Sequence, residues 1–133
     1  MNKVIIIVLL CAVILITGGI FWLHRPKPIT LNENDDGKTI NVKVGQVIYI
    51  KLQSNPSTGF DWHIKTKPDI VETVGSVEYI NSTDEKLVGA PGTTQFEFKA
   101  VKKGTGKLTL IYKRNWEGEL PSSQTFSIII NIS

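Results

Sequence analysis

The stretch "QVIYIKLQSNPSTGFDWHIK", residues 46–65, sets two β-branched and aromatic runs around a polar knot, Asn55-Pro56-Ser57-Thr58-Gly59. In its second run Phe60, Trp62 and Ile64 fall on one face, and Asp61, His63 and Lys65 on the other. A period of two marks a strand with one buried face. Asparagine, proline and glycine are turn residues, each for a physical reason: local hydrogen bonding, a fixed φ and tolerance of positive φ. The stretch therefore reads as strand, turn, strand. Trp62 is expected in the core, because large aromatics carry much of the core of a small β domain.

The same pattern continues on both sides. "TINVKVGQVIYIKL" gives two runs broken at Gly45. "TTQFEFKAV" puts Phe96, Phe98 and Ala100 on one face, "GKLTLIYKR" groups Leu108, Leu110 and Tyr112, and "QTFSIIINI" groups Phe126, Ile128, Ile130 and Ile132. "DIVETVGSVEYI" is less regular and reads as two short strands or as one strand bulged at Gly75. No helical period stands out downstream of Leu23. Six to eight short strands separated by Gly, Pro and Asn turns point to an all-β domain, a two-sheet sandwich or a small barrel. Parallel pairing needs a long crossover, usually a helix, so antiparallel sheets are expected.

The N-terminus differs from this domain. From Val4 to Leu23 run 20 residues without a charge. As a helix they would be roughly 30 Å long, the thickness of a bilayer's hydrocarbon layer. Residues 1–23 read either as an uncleaved membrane anchor or as a cleavable signal, with Lys3 before the apolar run and the small residues Thr17 and Gly19 at a cleavage site. Residues 24–30, "HRPKPIT", form a linker whose two prolines favour extended backbone, and the domain occupies 31–133. A short N-terminus before a long globular part is the usual export arrangement. The domain is therefore expected outside the cytoplasm, membrane-anchored through residues 4–23, or secreted or periplasmic if residues 1–19 are removed.

Charge and cysteine content exclude several classes. Of the 15 basic residues, Lys3, Arg25 and Lys27 belong to the apolar segment and its flank, which leaves 12 against 12 acidic residues. A neutral domain gives no support for nucleic-acid binding. Cys11, the single cysteine, lies inside the apolar run, so no intramolecular disulfide can form. Neither histidine stands in a catalytic pattern: His24 is in the linker and His63 on the polar, solvated face of a strand. Asp35 and Asp36 lie in a turn-like run, "NENDDGK". With no nucleophile and base set, no phosphate loop and no metal motif, the chain reads as a non-enzyme without a cofactor.

Three loops stand out. They are Asn55–Gly59, the Gly/Pro-rich "VGAPGTTQF" at Val88–Phe96, and "YKRNWEGELPSSQTF", in which Arg114 and Trp116 leave a strand for a polar loop. In immunoglobulin-like strand order these are the B–C, D–E and F–G connections, which emerge at one end of a sandwich. Three irregular loops on one edge make a binding surface.

In this order and on this strand pattern, "NPSTGF" (55–60), "GAPGTTQF" (89–96) and "RNW" (114–116) resemble the chagasin family of inhibitors of papain-like cysteine proteases. The resemblance covers roughly residues 30–133 and departs at Asn115, where the family usually carries proline. It implies an immunoglobulin-like antiparallel β-sandwich that acts as a monomer. Its three loops would wedge into a protease cleft. Asn55, Pro56, Ser57, Thr58, Gly59 and Phe60 would occupy the catalytic centre, with Ser57 and Thr58 nearest the enzyme's cysteine. Gly89, Ala90, Pro91, Gly92, Thr93 and Thr94 would lie along the cleft wall, and Trp116, steadied by Arg114, would pack on the far side. The alternative is a non-inhibitory adhesion or binding module of the same fold using the same edge.

Overall fold

The computed structural model describes residues 2–8, 25–81 and 91–133. Residues 2–8 are helical. The expected anchor or signal runs on into residues outside the described ones, as do Cys11, the cleavage site and His24. Among the described residues no helix is long and apolar enough to cross a membrane.

From Ile29 the described residues form an all-β fold. Its strands are β1 (Ile29–Leu31), β2 (Thr39–Val42), β3 (Val47–Ser54), β4 (Phe60–Thr66), β5 (Val71–Thr73), β6 (Glu78–Asn81), β7 (Gly92–Ala100), β8 (Gly104–Arg114) and β9 (Gln124–Ile132). The first strand thus begins inside the expected linker, because Ile29 and Leu31 both pack on the core. One sheet runs β1-β3-β7, with β5 and β6 sharing the free side of β7. The other runs β2-β9-β8-β4.

The two sheets enclose one apolar layer. Leu31, Ile48, Ile50, Leu52, Phe96 and Phe98 enter it from the first sheet, and Trp62, Leu108, Leu110, Phe126, Ile128 and Ile130 from the second. These are alternate positions, as a two-residue period requires. Trp62 is a core residue, and its indole N–H donates to the Gln53 carbonyl at 3.0 Å, joining β4 to β3 across the layer. "DIVETVGSVEYI" forms two short strands, and both pair with β7.

Three expectations need correction. The sheets are not wholly antiparallel, since β1 pairs parallel with β3 and β2 parallel with β9. No crossover helix is needed. After β1 the chain passes to the opposite sheet as β2 before returning as β3, so a strand serves as the crossover. Ile64 is 37% exposed rather than buried, because β4 is an edge strand whose register shifts between Ile64 and Thr66. His63 is half-buried rather than solvated, and its Nε2 is buried with no hydrogen-bond partner among the described residues. Its cross-strand partner Ile111 is 2% exposed although it lies on the sheet's outer face. The β8–β9 connection folds back over that face, where Glu119 meets Lys65 at 2.9 Å.

Candidate functional site

The strand register brings the three connections to one end. Ser54, the last residue of β3, pairs with Gly92, the first of β7. Phe60, the first of β4, pairs with Arg114, the last of β8. The strand ends that flank the connections β3–β4, β6–β7 and β8–β9 therefore lie at one end of the sandwich.

The first connection is a single 3-10 turn, Pro56–Thr58, with proline at its start, where φ is already fixed as a helix needs. Gly59 ends it at φ 80°, a left-handed conformation that glycine adopts without strain. The knot is tied internally. The Thr58 hydroxyl donates to the Asn55 carbonyl at 2.7 Å and the Ser57 hydroxyl to the Asn55 side chain at 2.5 Å. It is tied to the sheet too, since the Asn55 N–H donates to the Tyr112 hydroxyl at 3.0 Å. Pro56, Ser57 and Thr58 remain exposed.

The third connection is clamped onto the first. Arg114 Nε donates to the Thr58 carbonyl at 3.3 Å, and Nη1 pairs with Glu117 at 3.2 Å. The guanidinium lies 4.5 Å from the centre of the Phe60 ring and 5.9 Å from that of Trp116. Cation–π contact of this kind holds two aromatics in fixed relation to one charge. Trp116 is 72% exposed, yet its ring edge rests on Gly59: a Cβ there would fall 2.4 Å from the indole. Asn115, the departure from the family pattern, is exposed and does not separate Arg114 from Trp116.

The second connection divides. Gly89 and Ala90 lie outside the described residues. Pro91 is exposed and borders a shallow recess of about 260 Å³ with Asn55, Gln53, Glu33, Tyr112 and Gln124. Gly92, Thr93 and Thr94 belong to β7. Gly92 is buried because Tyr79 and the Ile80 carbonyl leave no room for a side chain. Thr94, 1% exposed, shares a 2.7 Å hydrogen bond with Ser54 and donates to Asp61 at 3.3 Å. Thr93 is half-buried. Gly92 and Thr94 therefore support the edge from beneath instead of lining it.

Tyr112, Asp61 and Glu117 were missed as site residues. The apolar alternation of β8 already placed Tyr112 on the core face, two pairs from the strand's end. Its hydrogen bond to a loop 57 residues upstream left no mark in the sequence. Among the described residues no group of His, Cys, Asp or Glu could hold a metal. The edge offers shape, aromatic area and hydrogen-bonding groups.

Residues 41–130 match the profile described as Chagasin family peptidase inhibitor I42. The chain is 37% identical over 99 residues to chagasin of Trypanosoma cruzi, covering 71% of this chain and 89% of the relative. It is 32% identical over 102 residues to amoebiasin-2 of Entamoeba histolytica, covering 75% and 83%. The crystal structure of the cysteine protease inhibitor EhICP2 from Entamoeba histolytica superposes with a TM-score of 0.70 at 28% identity, over 80% of this chain and 96% of that one. A sandwich whose clamped edge carries "NPSTGF" and "RNW" (55–60 and 114–116), matched over most of its length, belongs to the chagasin family of peptidase inhibitors.

Proposed function

We propose that this chain inhibits papain-like cysteine proteases by inserting its clamped edge into the active-site cleft. It is an inhibitor by family and not an enzyme. The observation that carries the mode of action is the lock between two loops, Arg114 and Trp116 closed on Asn55–Phe60. A surface built before binding loses little conformational freedom when it binds, and protease–inhibitor pairs rely on this over contacts of about 1,600 Å². Ser57 and Thr58, small and exposed at the tip, approach the enzyme's cysteine. Pro91, with Gly89 and Ala90, lies along one cleft wall, and Trp116 anchors the other. The strand order, β1-β3-β7-β5 against β2-β9-β8-β4, supports an immunoglobulin-like sandwich in which these are the D–E and F–G partners of the B–C loop.

The chain acts as a monomer. The uncharged run Val4–Leu23 supports attachment to a membrane, with the domain outside the cytoplasm, or export if the segment is removed. The decisive experiment titrates residues 27–133 into papain and cathepsin-like enzymes. Stoichiometric loss of activity is expected. Activity untouched at micromolar inhibitor sinks the protease reading and returns the edge to an adhesive role.

A further inference from the structure

The formally neutral domain has two unlike poles. Opposite the inhibitory edge lie the connections 43–46, 67–70 and 101–103, together with residues 25–28 leading into β1. Their side chains include the basic Arg25, Lys27, Lys43, Lys67, Lys102 and Lys103 and one carboxylate, Asp69. At the inhibitory end, the described connections 32–38, 55–59 and 115–123 carry Glu33, Asp35, Asp36, Glu117 and Glu119 against Lys38 and the flanking Arg114, which pairs with Glu117.

The basic connections form one continuous surface. Gly45 N–H donates to the Ala100 carbonyl at 2.7 Å, and Val101 N–H to the Ile70 carbonyl at 2.9 Å. The Gln46 side chain holds the Lys27 carbonyl at 2.8 Å. Asp69 is engaged by Lys102 at 3.1 Å, and Lys67 donates to the Val71 carbonyl at 2.8 Å. Lys27, Lys43 and Lys103 are exposed, and beside Lys43 the apolar Val44 is 44% exposed at the tip of its turn. Lysines around an exposed apolar tip suit the boundary between lipid headgroups and acyl chains. This pole is also where the apolar run Val4–Leu23 joins the domain, through Arg25 and Lys27.

We propose that this basic pole docks on the surface of an anionic lipid bilayer, which turns the inhibitory edge outward. The docking goes beyond the protease reading and does not depend on whether residues 1–23 stay attached. Each basic residue near such a surface raises affinity about fivefold, and the attraction fades within about 10 Å in moderate salt.

The test uses the full chain in vesicles of phosphatidylcholine alone or of phosphatidylcholine with phosphatidylserine. Lysines are labelled with an amine-reactive reagent and read by peptide mass spectrometry, with Lys51 and Lys113 as internal standards. Lys43 and Lys103 should be protected several-fold relative to the standards on the anionic vesicles only, and the protection should vanish in about 1 M salt. In a Lys43→Glu/Lys103→Glu double variant, protection of Lys27 and Lys102 should be lost while papain inhibition is kept, which shows that the fold survives. Equal labelling on both vesicles overturns the proposal, as does protection by an oligonucleotide but not by anionic vesicles, or unchanged protection in the double variant.

Discussion

Trp116 is at once the most exposed large apolar side chain among the described residues and one propped from beneath by Gly59. Exposed aromatic area of this kind is the usual energetic anchor of an interface. Trp116→Ala should weaken papain inhibition by about 2 kcal/mol or more while the melting temperature stays put. A fall in melting temperature with inhibition intact would make it a packing residue. Gly59→Ala acts on the same contact from below. It forces a side chain into left-handed backbone, which costs about 1–2 kcal/mol, and it pushes its Cβ into the indole. Inhibition and stability should both drop, as an inhibition titration and a thermal melt would show. Thr58→Trp, at the exposed tip, should abolish cleft entry and lower the melt only slightly, by the loss of the hydroxyl's bond to the Asn55 carbonyl. Asn55–Gly59 could be read as a turn from sequence because turn chemistry is local. The contacts that make the turn a tool, from Tyr112, Arg114 and Trp116, come from residues more than 50 positions away. Only the pairing of β4 with β8 brings them there.

Among the elements, the strands with one buried face were legible because alternation reports burial directly. β1, at three residues, is too short to show a period, and parallel pairing leaves no local trace, so both first emerge in the sheet order. His63 was misread for a related reason: the loop that covers its face begins only after β8 ends at Arg114, far downstream in the sequence. The one-turn 3-10 helix Glu33–Asp35 in the β1–β2 connection carries a capping box, with Asn32 accepting from Asn34 and Asp35 accepting from the Asn32 N–H at 2.9 Å. That N–H, and then Lys38 at 3.1 Å, hold the Asp35 carboxyl below its ordinary value. A depressed folded value stabilises the fold above about pH 4, where the unfolded carboxylate is ionised. The contribution is lost as pH falls through the folded value. Asp35→Ala should therefore cost about 1 kcal/mol in urea unfolding at pH 7, and the gap from the parent should narrow as pH falls through the folded value. A gap independent of pH would mean that the carboxylate's charge plays no part.

At the scale of the molecule, the family match begins at residue 41, so β1 and the connection after it lie outside the matched segment. The fold nevertheless uses them: Leu31 is buried in the common core, and Thr30 pairs with Tyr49. Leu31→Ala should cost about 2–4 kcal/mol of stability without altering inhibition, measured by denaturant midpoint and papain titration. The parallel pairing of β1 with β3 also decides how the molecule carries a mechanical load. A chain gripped by a protease at one pole and tethered through its N-terminus at the other is pulled along the axis of β1. The hydrogen bonds of β1 to β3 lie across that pull, so they share the force and yield together rather than opening one at a time from an end.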